Sequence, residues 1–209
     1  MGNVKTVLIL IGVCLVIVLV MAFGLSKVGG KSQVVKVDIT KLTEGAGLVT
    51  GKDDAKVVVV EFSDVQCPAC RDAEPISKEL RQMENVKFVY RQFPLINIHK
   101  NAWRGARAVE AGRLMGKGWE MLAIMFDKQK EWADSGKFDE MVVGYAKNIG
   151  LDENEFRTKW VSEETDKLVS VDSVLGGTLK LSGTPTFFVN GEQVATTFVI
   201  STVKDLLSK

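Results

Sequence analysis

From Val7 to Leu25 the chain carries no charged residue and almost nothing polar, an apolar run of 19 residues preceded by Lys5 and followed by Ser26-Lys27. As a helix it would span about 28 Å, the thickness of a bilayer's hydrocarbon core. A buried core helix would normally show polar interruptions, so the run predicts one N-terminal transmembrane helix within residues 1–25. The small-x-small step Ala22-Phe23-Gly24 would suit a signal cleavage site, but the apolar stretch exceeds the roughly 7–15 residues of a signal core. An uncleaved anchor is the preferred reading. Residues 26–48 are polar, contain Lys and Gly and are weakly patterned, which reads as a tether with one short strand at 34–39.

The pattern then changes. After the turn Gly51-Lys52-Asp53-Asp54, a β-branched run at 56–62 predicts a strand buried on both faces, and 86–93 predicts a second. From about Asn101 to Asp172 the text is helical: Ala102, Ala106, Val109 and Leu114 recur at helical spacing, as do Trp119, Leu122 and Phe126. Further helices are expected at 138–148 and 153–170, the latter with Asp152 as N-cap. Residues 186–190 return to strand, Asn190-Gly191 is a hairpin signal, and 193–198 is the return strand. A last helix is expected at 201–207, with Ser201 as a possible cap. The order defines one α/β domain over residues 49–209, with a helical insertion at about 97–178.

Charge narrows the function classes. The chain has 27 basic and 26 acidic residues and no long basic run, so a nucleic-acid partner is not indicated. Lys27, Lys31, Lys36 and Lys41 follow the apolar run while only Lys5 precedes it, and by the positive-inside rule that leaves the large domain in the cytoplasm. The cysteine chemistry argues for the opposite face, where disulfides persist.

Of three cysteines, Cys14 sits in the apolar run, which leaves Cys67 and Cys70 for the rest of the chain. With one histidine, His99, no Cys₄ or Cys₂His₂ zinc site can be assembled, and no metal or organic cofactor is implied. Cys67-Pro68-Ala69-Cys70 follows a buried-type strand and opens a helical pattern. A thiol in the first turn of a helix has its anion stabilised by unpaired N–H groups, which makes Cys67 the expected nucleophile. Pro68 suits the first helical position, and Cys70, about a turn later, can close a disulfide. Glu61, in an otherwise apolar strand, is expected to have a raised pKa and to relay a proton for Cys70. Pro75 should kink the helix. Thr184-Pro185-Thr186 opens a strand where proline is unwelcome, which invites a cis bond. His99 reads as a loop or helix-start residue, the four tryptophans as core of the helical block, and the Asp and Glu residues around 152–166 as a solvated face.

Glu-Phe-x-Asp-x-x-Cys-Pro-x-Cys at 61–70, Pro75, Phe93-Pro94-Leu95 leading through His99, and Gly183 to Gly191 together resemble the DsbA-type oxidoreductases of the thioredoxin superfamily. The resemblance covers about residues 48–208, and the tethered form resembles the membrane-bound BdbD type more than the soluble periplasmic one. It implies a thioredoxin fold, Cys70 as resolving thiol, and Pro185 in cis beside the pair. It also implies that the backbone of Thr184 pairs with an extended polypeptide. Clients would be reduced or unfolded proteins. A quinone-linked membrane partner of the DsbB or vitamin K epoxide reductase kind would regenerate the disulfide. The best-known member has histidine between its cysteines; Ala69 here implies a less acidic Cys67 and a weaker oxidant. The expected function is a protein thiol–disulfide oxidoreductase, anchored by a single pass in the cell membrane with its catalytic domain outside the cytoplasm. The alternatives are a reductase or isomerase of the same fold, and a membrane-tethered binding module whose cysteine pair is a static staple.

Overall fold

The computed structural model describes residue 3, residues 11–17, residue 20, residues 36–45 and residues 47–209. The chain divides into two units, Met1–Val35 and Lys36–Lys209. In the first, residues 11–17 are helical. Among the described residues no helix is long and apolar enough to cross a membrane; the rest of the anchor expected over 1–25 lies outside the described residues.

The second unit is built on a five-stranded sheet: β1 (Leu48–Thr50), β2 (Val57–Ser63), β3 (Val86–Gln92), β4 (Thr186–Val189) and β5 (Glu192–Val194), in the spatial order β1-β3-β2-β4-β5. β2 and β3 are parallel, and every other pairing is antiparallel. The parallel pair requires a crossover, supplied by the helix Pro68–Gln82. Between β3 and β4 lie six helices: Ala102–Leu114, Gly118–Asp127, Gln129–Trp132, Phe138–Asn148, Glu153–Trp160 and Glu163–Thr178. In chain order the helices are α1 (Ile39–Thr43), α2 (Pro68–Gln82), α3 to α8 for those six, and α9 (Val199–Leu207).

Side chains alternate across the strands, so the sheet has two differently furnished faces. Val57, Val59, Phe88, Tyr90, Phe187 and Val189 join the larger core with α2, most of the inserted helices and α9. Val60, Phe62, Val89 and Phe188 form a second core with Leu42 of α1, against which Leu175 of α8 packs. Phe62 meets Phe93 and Phe188 edge-on there. Burying each such large apolar side chain contributes roughly 1.5–3 kcal/mol, and the two cores hold the sheet between helical layers.

Several elements depart from the pattern expected of the sequence. Residues 34–39 are no strand within the described part: Lys36 makes a single bridge to Glu192, and Asp38 then starts α1 by accepting a hydrogen bond from Thr40 N at 2.9 Å. Residues 36–45, expected as part of the tether, are therefore folded onto the sheet, with Leu42 fully buried. The helix expected over 153–170 is two helices, because Ser162 caps a new one by accepting from Thr165 N. The return strand stops at Val194 and gives way to a 3-10 turn, Thr196–Phe198. The last helix begins at Val199 rather than Ser201, whose hydroxyl instead donates to the Phe198 carbonyl at 3.0 Å. Asp152 does cap its helix, accepting from Glu155 N. The acidic face around 152–166 is solvated except at Asp166, which accepts from Trp103 Nε1 and pairs with Arg107.

Candidate active site

β2 delivers the chain to Ser63, and the next three residues turn it into α2. Cys67 is the N-cap and Pro68 occupies the first helical turn, where its missing N–H leaves no bond unmade. The turn is fixed from three sides. The Asp64 carboxylate, fully buried, accepts from Gln66 N at 2.8 Å and Leu95 N at 2.9 Å and meets His99 Nδ1 at 2.7 Å. Gln66 donates to Ala133 O and accepts from Asn101 N. Gln129 donates to the carbonyls of Val65 and Cys67. The inserted helices thus hold the loop that carries the cysteines. Gly105 of α3 allows the close approach, since a Cβ there would lie 2.7 Å from Val65.

Cys67 and Cys70 are both free thiols. Cys67 is slightly exposed and Cys70 completely buried. Their proton affinities diverge. Cys67 is pulled down to about 5, chiefly by the Cys70 thiol donating to its sulfur, then by Thr184 and by the backbone N–H groups of Cys70 and Ala69, all against the opposing effect of burial. The helix amides act here as dipoles at the helix start, without a formed side-chain cap. Residue 69 contributes through its backbone, so the low value needs no side chain between the cysteines. Cys70 is pushed far up, first by burial and then by the adjacent Cys67 anion; its sulfur accepts one backbone bond, from Asp64 N at 3.4 Å. When protonated, Cys67 Sγ donates to the Thr184 carbonyl at 3.6 Å. The bond from Thr184 to Pro185 is cis. The structure thus brings Cys67, Cys70 and Thr184 together, with Pro185 next in the chain.

Glu61 lies beneath, on the face of β2 that looks toward α2, opposite Tyr90 on β3 and Phe187 on β4. It is 1 % exposed. Ser77 of α2 donates to Glu61 Oε2 at 2.6 Å. Burial nonetheless dominates and raises its pKa from 4.5 to about 7. Because the folded form binds this proton more tightly than the unfolded chain, the contribution of Glu61 to stability is fully present below pH 4.5 and is lost as pH rises to about 7. Glu61→Gln has no such decline. It is expected to match the native protein near pH 4 and to exceed it by about 3 kcal/mol at pH 8. Denaturant titrations of the reduced proteins at both pH values measure this; an equal difference at each would remove the assigned ionisation.

Cys67, Cys70, Glu61, Thr184 and Pro185 are the site residues expected from the sequence; Asp64, Gln66 and Gln129 have no function assigned there, and Ser63, Ser77 and Tyr90 do not stand out. Asp64 was visible within the motif at 61–70. Gln129 carried no local signal, because its partners are 64 and 62 residues away.

A sheet of this order, with a Cys-x-x-Cys pair opening the helix after β2 and a cis-proline loop facing it, defines a dithiol domain of the thioredoxin fold. The chain belongs to the thioredoxin family: the family model described as Thioredoxin matches residues 43–209. A probable disulfide bond formation protein D from Bacillus cereus is 31% identical over 150 residues, 68% of each chain. A Na(+)/H(+) antiporter of Salinispora arenicola is 36% identical over 147 residues, 69% of this chain but 22% of that protein. The chain thus spans about a fifth of the antiporter's length, and most of that protein lies outside the match. Among solved structures, a thioredoxin-like oxidoreductase from Silicibacter pomeroyi is 26% identical with a TM-score of 0.67, covering 83% of this chain and 99% of that one. Oxidised BdbD of Bacillus subtilis shares the fold at 24% identity and TM-score 0.66, covering 79% of this chain and 95% of that one.

Proposed function

We propose that this chain is a protein thiol–disulfide oxidoreductase that introduces disulfides into extracytoplasmic proteins, held to the cell membrane by its N-terminal apolar run. The carrying observation is the unequal placing of the two thiols: Cys67, slightly exposed at the start of α2 and beside the Thr184 carbonyl, and Cys70, completely buried behind it, an arrangement that favours the anion at Cys67 and the proton at Cys70. Stabilising the thiolate stabilises the reduced form, so the disulfide form passes its oxidising equivalents on. A client thiolate attacks Cys67, Cys70 leaves and is protonated with help from Glu61, and a second client thiol releases the oxidised product. The Thr184 backbone beside Cys67 would pair with the extended client. Similarity to a disulfide bond formation protein supports this direction. A quinone-linked membrane protein of the DsbB or vitamin K epoxide reductase kind would restore the disulfide.

One experiment tests reactivity and placement together. Intact cells expressing the chain are reduced, then exposed at pH 6 to a membrane-impermeant maleimide. Cys67 should be labelled and Cys70 spared, with the signal lost in Cys67→Ser. Labelling that needs permeabilised cells would put the domain in the cytoplasm and favour the reductase reading. Preferential labelling of Cys70 would reverse the roles of the thiols.

A further inference from the structure

The face of the sheet beneath Cys70 is unusually polar for a core. Glu61 and Ser63 of β2 stand in register with Tyr90 and Gln92 of β3, and all four are at most 1 % exposed. Ser63 Oγ and the Tyr90 hydroxyl have no hydrogen-bond partner. A buried hydroxyl left unpaired is destabilising, and a strand residue chosen for packing alone would be valine or alanine. Ser63 lies two residues beyond Glu61 on the same face, immediately before the loop whose Asp64 N–H reaches Cys70 Sγ. Its hydroxyl therefore shares one buried face with Glu61 and Tyr90, stands one residue from the N–H that touches Cys70 Sγ, and is taken by no other group. The other groups around Glu61 are Ser77, Glu74 and Arg81 of α2, with Phe187 on β4. A serine hydroxyl can accept one proton while donating another, and it turns freely to do so.

We propose that Ser63 is the relay that passes a proton between Glu61 and Cys70 during disulfide exchange, an inference that rests on the exchange activity proposed above. When a client thiolate attacks Cys67 Sγ, the Cys67–Cys70 bond breaks and the client–Cys67 bond forms, with Cys70 leaving with the electron pair. Cys70 takes the hydroxyl proton of Ser63 as Ser63 takes the carboxyl proton of Glu61. Glu61 is left ionised and recovers a proton from solvent. No electrons enter beyond those of the exchange. In the reverse direction the same hydroxyl returns the Cys70 proton to Glu61, freeing the buried sulfur to attack.

The test is the rate at which dithiothreitol opens the Cys67–Cys70 disulfide of the full-length protein, followed by acid quench and thiol counting from pH 5 to 8. Rates are expressed relative to the native protein, which cancels the reagent's own titration. Ser63→Ala is expected to be slower by roughly a hundredfold, the lower end of general acid–base effects. The deficit should be largest below pH 7, where Glu61 carries its proton, and shrink above it. Ser63→Thr should restore the rate, and Ser63→Ala with Glu61→Gln should be no slower than Glu61→Gln alone. If the alanine variant does not fold, Ser63→Gly makes the same comparison. Rates within twofold of native at every pH, or multiplicative effects in the double variant, would overturn the relay. A native disulfide that dithiothreitol does not open would instead remove the exchange reading itself, and the relay with it.

Discussion

Cys70→Ala is expected to stall the protein as a ladder of covalent adducts. With the resolving thiol gone, Cys67 keeps its position at the start of α2, where the Ala69 amide and Thr184 still favour the anion. It loses the largest stabilising contribution, the thiol of Cys70. Cys67 should therefore still exchange with client disulfides, more slowly, but an adduct once formed has no internal thiol to release it. Turnover of a reduced client should fall to background. Non-reducing gels should show high-mass bands that collapse with reductant and vanish when Cys67 is also replaced. Cys14 serves as the control, since adducts that persist without Cys67 would run through it. A Cys70→Ala protein that forms no Cys67-dependent adducts with oxidised clients would leave the pair as a static staple.

Arg91→Leu should be the most damaging single change away from the thiols. Arg91 is completely buried on the second face of the sheet. It donates to the carbonyls of Leu42 at 3.0 Å and Glu44 at 2.6 Å and pairs with Asp172 of α8 at 2.5 Å. Asp172 also accepts from Gln92 N at 2.9 Å. One guanidinium therefore ties β3 to α8 and to the segment around α1. Burial raises the Asp172 pKa to about 6 even against the pull of Arg91. Without the cation, the carboxylate would be left buried and uncompensated, a loss of about 3–5 kcal/mol, a large share of the roughly 5–15 kcal/mol that holds a domain together. The loss should be smaller at pH 5 than at pH 8, because the orphaned Asp172 can take a proton at the lower pH. Denaturant midpoints at the two pH values report this. If Arg91→Leu shifts stability by less than about 1 kcal/mol at pH 8, the clamp is not what fastens the segment. Arg91→Leu with Asp172→Leu should recover part of the loss.

The parts of the site legible in the sequence are those whose signal is local. Cys67, Pro68 and Cys70 advertise a helix start within four residues, and Glu61 stands out because it interrupts an apolar strand. Thr184-Pro185 is visible because proline is a poor way to open a strand. The helical insertion was legible from spacing alone, yet its break at Val161 was not, since Val161 and Ser162 fit a continuing helix until Ser162 is seen capping the next one. The packing of residues 36–45 was illegible for a different reason. What ties them to Arg91 is the carbonyls of Leu42 and Glu44, and a backbone oxygen is the same in every residue. Similarly, nothing local ties Asp64 to His99, or Gln129 to the cysteine loop; only the assembled fold brings them within bonding distance.

The bridge from Lys36 to Glu192 has a bearing on solubility. β5 is the last strand of an open sheet, and an open strand is a template on which another extended chain can add and then polymerise. Here Val37 N donates to Gly191 O at 2.8 Å and the Lys36 ammonium sits 3.2 Å from Glu192, so the strand's first residues are already taken and bear charge. β1, at the opposite margin, offers only three residues. A protein proposed to handle unfolded chains meets many segments eager to join a sheet. Guarding its margins would direct them to the loop beside Cys67, where pairing is brief and ends in chemistry, and away from borders where it would end in aggregation.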